Sequence, residues 1–174
     1  RLAQLDGKAE IAARAYSAIL QIAPLDRPAL LGAIYEMGNI DRIDLVRPLV
    51  ARGRGAYPGD VEFVFLEARV MAHDRQWQAV REMLQAREAD IAGHPEARGL
   101  YAEALLELGQ AQGARSQIAP LYRRHGENAQ IRRVYARTQA ALGNKAEARR
   151  AIAPLLNGPQ ALPADRELAA SFEG

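Results

Sequence analysis

The stretch LGQAQGARSQIAPL at residues 108–121 returns as LGNKAEARRAIAPL at residues 142–155, a step of 34 in register (142 − 108). Leu108-Gly109, Ala114-Arg115 and Ile118 to Leu121 keep their places in Leu142-Gly143, Ala148-Arg149 and Ile152 to Leu155, and Tyr101-Ala102 is matched by Tyr135-Ala136. A period of about 20 to 50 residues marks an array of supersecondary units, so this repeat decides the fold before any single element does. In each copy a Gly follows one apolar-periodic run and precedes another. That is the pattern of two amphipathic helices joined where Gly takes the left-handed conformation that ends a helix.

The echo continues upstream. Met37-Gly38 and His73-Asp74 are read as the equivalent turns, and Gly7 precedes Gly38 by a step of 31 (38 − 7). Helix stops are therefore expected at Gly7, Gly38, Gly109 and Gly143. Starts follow them, with Asn144 and Glu147 spaced as a capping-box variant and Asp74 ahead of the run carrying Trp77. Asp26, Asp60, Asn128 and Asp165 each precede a further run, and Pro95 suits a first helical turn. The expected helices are 8–22, 27–37, 40–52, 60–73, 75–91, 96–108, 111–125, 129–142, 145–157 and 164–172.

Composition agrees with helix throughout. Hydrophobic residues make up 49% of the chain and aromatics only 6%, with Ala the dominant apolar type and few β-branched runs. The 23 basic and 21 acidic residues nearly cancel, so charge alone implies no polyanionic partner. The absence of Cys removes disulfides and thiolate metal sites and leaves the compartment open between periplasm and cytoplasm. No apolar run approaches the ~18 to 20 residues that span a bilayer, so this segment is expected to insert into no membrane.

Ala12, Tyr16 and Pro24 form a small residue, a bulky residue four positions on and a later Pro. Ala79/Met83, Ala114/Ile118 and Ala148/Ile152 repeat the first two, with Ile43/Arg47 standing in the second repeat. Over essentially its whole length the chain thereby resembles the tetratricopeptide repeat family, without that family's Trp or first-helix Gly. The resemblance implies an all-α, right-handed α-solenoid of about five helix–turn–helix repeats forming a single domain. Its parts would be a partial repeat at 1–24, repeats at 25–59, 60–94, 95–128 and 129–162, and a terminal helix at 163–174. Pro48, Pro120 and Pro154 depart from the family pattern and read either as inherited repetition or as a bend or early stop built into their helices. Residues 51–60, with Gly53, Gly55, Pro58 and Gly59, read as one long irregular connection. The early position of Gly7 suggests an excerpt of a longer chain.

Catalysis needs converging groups, and the sequence offers none. His73, His94 and His125 fall at inter-helix turns, in exposed or capping roles, with no zinc-binding pair at helical spacing. Gly53-x-Gly55-x-x-x-Gly59 misses the spacing of a phosphate loop, and Glu103 and Glu107 read as a solvated helical face. Catalytic residues, metal and cofactor are all expected to be absent. Arginines thicken the C-terminal third, but Glu127 and Glu147 dilute them and only Tyr122 and Tyr135 could stack on bases, which disfavours nucleic acid. Trp77 is open between a packing role and an exposed anchor.

The resemblance further implies a ligand groove on the first helices of successive pairs, lined by Tyr35, Val64, Met71, Glu103, Leu106, Arg133 and Arg137. Such a groove would run from apolar to cationic and suit a protein or peptide with an acidic end. The competing reading makes Val64 and Met71 core and the arginines a solvated face. The function implied is a non-catalytic protein-binding scaffold. The alternative is a periplasmic repeat segment of a bacterial envelope or exopolysaccharide-export protein that organises the assembly or contacts the polysaccharide.

Overall fold

A computed structural model describes residues 2–172, with side chains from residue 7 onward. The described residues form helices and turns, with no strand among them. None of these helices is long and apolar enough to cross a membrane. The chain divides into two compact units, Arg1–Asp74 and Arg75–Gly174. The first holds α1 (Leu2–Ile22), α2 (Arg27–Asn39), α3 (Ile43–Ala56) and α4 (Val61–His73). The second holds α5 (Trp77–Gln85), α6 (Glu88–Ile91), α7 (Pro95–Glu107), α8 (Ala111–His125), α9 (Ala129–Ala141), α10 (Lys145–Ile152) and α11 (Pro163–Ala170). Within each unit helices pack on their sequence neighbours, and α7 also packs on α5 and α9.

The repeat is stricter in the backbone than in the sequence. Four residues have positive φ at successive steps of 34: Asp41 (57°), Arg75 (57°), Gly109 (75°) and Gly143 (79°). The residue after the turn closes it from behind: the N–H groups of Arg42, Gln110 and Asn144 bond the carbonyls of Met37, Leu105 and Gln139 at 2.8–2.9 Å. The residues that precede the first helices fall at the same interval, as Asp26, Asp60, His94, Asn128 and Leu162, all with extended backbone. Asp26 accepts from Ala29 N, Asp60 from Glu62 N, His94 Nδ1 from Ala97 N, and Asn128 from both Gln130 N and Ile131 N. Each cap satisfies donors that a helix start leaves unpaired, worth about 1 kcal/mol apiece.

These positions correct the sequence reading in several places. Gly38 lies inside α2, and its turn is made at Asp41. The third turn is made at Arg75, one residue after Asp74. Gly7 stands one such step before Asp41, yet α1 continues through it without a stop. The recurring small–bulky pair in the second and third repeats is then Val46/Val50 and Val80/Leu84, all buried, rather than Ile43/Arg47 and Ala79/Met83. Asn144 makes no side-chain cap; its amide donates to Gln139 Oε1 instead. Asp165 sits within α11 as its third residue and accepts from Leu162 N at 2.9 Å.

Residues 51–60 are mostly helix, since α3 runs to Ala56. Gly53 is needed there for packing: the buried Phe63 ring lies where its Cβ would be, and Tyr57 stacks on Phe63 at 5.6 Å. Of the three prolines, Pro48 and Pro120 lie inside continuing helices, and only Pro154 accompanies a stop, where α10 gives way to a 3₁₀ turn. An unexpected break separates α5 from α6. Arg87 occupies there the repeat position at which Gly53, Leu121 and Leu155 are buried. A guanidinium is too costly to desolvate in an apolar layer, so the helix stops, Arg87 faces Asp90, and Ile91 is buried instead.

Second-helix residues complete the cores. Ala102, Ile118, Leu121, Ile131 and Val134 form one cluster, and Ala136, Ala148, Ala151, Ile152, Leu155 and Phe172 form another. Burying each Val, Leu or Ile contributes about 1.5–3 kcal/mol, which holds together helices too short to persist alone.

Candidate interaction face

The first helices bring one set of repeat positions to neighbouring surfaces. In the first unit Tyr35 Oη on α2 donates to Glu62 on α4. In the second, Gln130 on α9 donates to Glu103 on α7 at 3.0 Å. Because 103 − 35 and 130 − 62 are both 68, these are one contact recurring two repeats apart. The position shared by Tyr35 and Glu103 is filled by Arg69 and Arg137 in the other repeats.

In the first unit this face carries a crevice of about 180 Å³. Its floor is apolar, from Ile34, Ile43, Val46, Leu66 and Val70, and its rim carries Tyr35, Asn39, Asp41, Arg69 and His73. Tyr35 is partly exposed. Val64 is 1% exposed and belongs to the core, where it can meet no ligand. Met71 is half-buried at the repeat position where Met37, Leu105 and Gln139 are buried. At the end of α4 Arg47 pairs with Asp74 at 2.5 Å, and His73 Nδ1 stands 3.3 Å from the same carboxylate. The Arg47 hydrogen bond, helped by His73, lowers the Asp74 pKa to about 2.

In the second unit Arg137 bonds Glu103 at 3.1 Å and also reaches Glu107. Burial raises the Glu103 pKa above its ordinary value; Arg137 and Gln130 oppose the rise and Glu107 adds to it. Leu106 is half-buried beside them in sequence. Arg133 Nε bonds Asp165 at 2.7 Å, and its Nη2 donates to the Gln160 carbonyl. Arg133 and Arg137 are therefore neither a free cationic end nor a solvated face. Their environment is partly desolvated, and a guanidinium there needs carboxylate partners, which the chain itself supplies.

The aromatic pair follows the same rule. Tyr122 and Tyr135 stack on each other at 4.1 Å, and Arg132 lies over Tyr122 at 5.4 Å while donating to the Ala151 carbonyl. Their facing surfaces are committed to packing. Trp77 is half-buried at the start of α5, in a shallow depression shared with Glu82 and Leu108. Among the described residues no group of three or more His, Asp or Glu is placed to hold a metal ion. No protein-family model, curated protein or solved structure matches the chain.

Sequence reasoning did not single out Arg69, Asn39 and Asp41, which line the crevice. The available signal was the strict period: Arg69 lies one period after Tyr35, and Asp41 lies one period before the turn that Arg75 makes.

Proposed function

We propose that this chain is a non-catalytic scaffold of tetratricopeptide-like repeats, coiled as a right-handed α-solenoid, which binds a protein or peptide on the face of its first helices. The observation that supports this reading is the recurrence, at steps of 34, of caps and left-handed turns through Gly143, which presents equivalent first-helix positions repeat after repeat. Arrays of this kind bury their apolar sides against neighbours and leave an extended surface for ligands. The variation at the position of Tyr35, Arg69, Glu103 and Arg137 supports it further, because core positions such as Ile34, Ala68, Ala102 and Ala136 stay apolar while this one changes charge.

Site-specific photocross-linking tests the reading. A photoreactive residue replaces Glu62, Glu96 or Gln130 on first helices, or Arg52, Arg115 or Arg149 on second helices, and each variant is irradiated in extract from the source cells. Adducts with one partner from the first-helix set, absent from the second-helix set, are expected. Adducts from the second-helix set alone would contradict the assignment of the face.

A further inference from the structure

Helix α1 carries apolar residues on two opposite sides. Ala9, Ala13 and Leu20 are buried on the side packed on α2, while Ile11, Ala15, Ala18 and Ile22 are exposed on the other, Ile11 at 71% and Ile22 at 90%. Steps of 4, 3 and 4 place these four on one narrow stripe, the spacing of a coiled-coil seam. The repeat does not ask for such a stripe. Two and three repeats on, the position of Ile22 is held by Asp90 and Arg124, both exposed, so packing within the array leaves that position in water. A large apolar residue there calls for cover from another molecule.

We propose that α1 pairs with α1 of a second copy of the chain, antiparallel, about a two-fold axis passing between Ala15 and Ala18. The stripe reads large, small, small, large, and it reads the same from either end. The axis therefore sets Ile11 against Ile22 of the second copy and Ala15 against Ala18, so bulky residues meet at the flanks and the helices close up over the alanines at the centre. An isologous contact requires this self-complementarity. The charges beside the seam agree with it. Lys8 falls opposite Leu25 and Asp26 of the second copy, where its stem covers an exposed Leu and its ammonium meets a carboxylate. Arg14 flanks the uncharged Gln21, so no like charges face each other across the seam. With about three helical turns on each side, the dimer belongs to the small, reversible class. No residue of the crevice between α2, α3 and α4 takes part.

Sedimentation velocity of the full chain, from about 10 µM to about 1 mM, is expected to show a monomer passing to a dimer and to nothing larger. Ile22→Lys and Ile11→Lys, both at exposed positions, should each raise the midpoint of that transition about tenfold or more with helical circular dichroism unchanged. The chain has no Cys, which makes the direction of pairing readable. An equal mixture of Ile11→Cys and Ile22→Cys chains, mildly oxidised, should give mainly the mixed 11–22 disulfide, and either variant alone little. A monomer throughout would overturn the proposal and leave the stripe to a different chain. So would a dimer indifferent to both lysine variants, or larger species growing with concentration, which mark a contact that does not close. Each cysteine variant oxidising chiefly with itself would make the helices parallel and overturn it as well. None of these outcomes touches the scaffold reading, which the first-helix cross-links decide.

Discussion

Arg133 Nε lies 2.7 Å from Asp165 Oδ1, and Asp165 is only 2% exposed at the repeat position where Ala29, Phe63, Ala97 and Ile131 are buried. The pair joins α9 to α11 through a site that is otherwise apolar. A buried ion pair adds little over an apolar contact, but losing one partner strands the other. Asp165→Ala is expected to cost about 3 kcal/mol in urea unfolding, and Arg133→Met combined with Asp165→Leu should recover most of it. Equal stability of Asp165→Ala and the wild type would mean that the Arg133–Asp165 pair contributes nothing net to the fold.

The four left-handed turns are chemically unequal. Asp41 and Arg75 carry a Cβ in a conformation that costs an ordinary residue about 1–2 kcal/mol, whereas Gly109 and Gly143 do not. Asp41→Gly and Arg75→Gly should therefore raise stability in urea unfolding by up to about 1 kcal/mol each, and Gly109→Ala and Gly143→Ala should lower it by a similar amount. A loss of stability in Arg75→Gly would contradict the turn assignment.

Two glycines are covered by rings of different freedom. Phe63 over Gly53 is fully buried, while Tyr16 over Gly32 is half-buried and meets it with the far end of its ring. Gly53→Ala is expected to cost about 2–3 kcal/mol, and Gly32→Ala clearly less, because Tyr16 can swing away. Thermal unfolding of the two variants makes the comparison.

Asp74 and Glu103 are displaced in opposite directions, which gives stability opposite pH slopes. With the folded Asp74 pKa lowered to about 2 by Arg47, its contribution is present above the ordinary value of 3.8 and lost as pH falls toward 2. Glu103 is raised by burial, so its contribution is present below the ordinary value of 4.5 and is lost as pH rises through the folded pKa. Asp74→Asn should flatten the acid limb of a stability-versus-pH curve, and Glu103→Gln should remove the loss on the rising side. An unchanged acid limb in Asp74→Asn would show that Arg47 does not hold this carboxylate.

The all-helical fold was legible because Gly109 and Gly143 repeat both the residue and the backbone state. It blurred where the same backbone state is met by Asp41 and Arg75, which advertise no left-handed turn, and where Gly38 offers a helix stop that α2 does not use. Register slipped by three residues in one repeat and by one in the next for that reason alone. The break at Arg87 needed knowledge of what its repeat equivalents bury. On the candidate interaction face, Arg133 and Arg137 were named from the sequence, but the groups they bond lie 27 to 34 residues away, a relation that helix periodicity cannot express. Val64 illustrates the converse, since one apolar residue on a first helix reads alike whether it faces core or ligand until neighbouring helices are in place.

Hydrogen–deuterium exchange of the chain, free and bound to the partner identified by cross-linking, locates the binding face without altering any residue. Slowed exchange is expected along α2 and α4, or along α7 and α9, with α8, α10 and the part of α3 beyond Val46 unchanged. Protection confined to α3, α8 or α10 would place binding on the second helices and contradict the scaffold face described above.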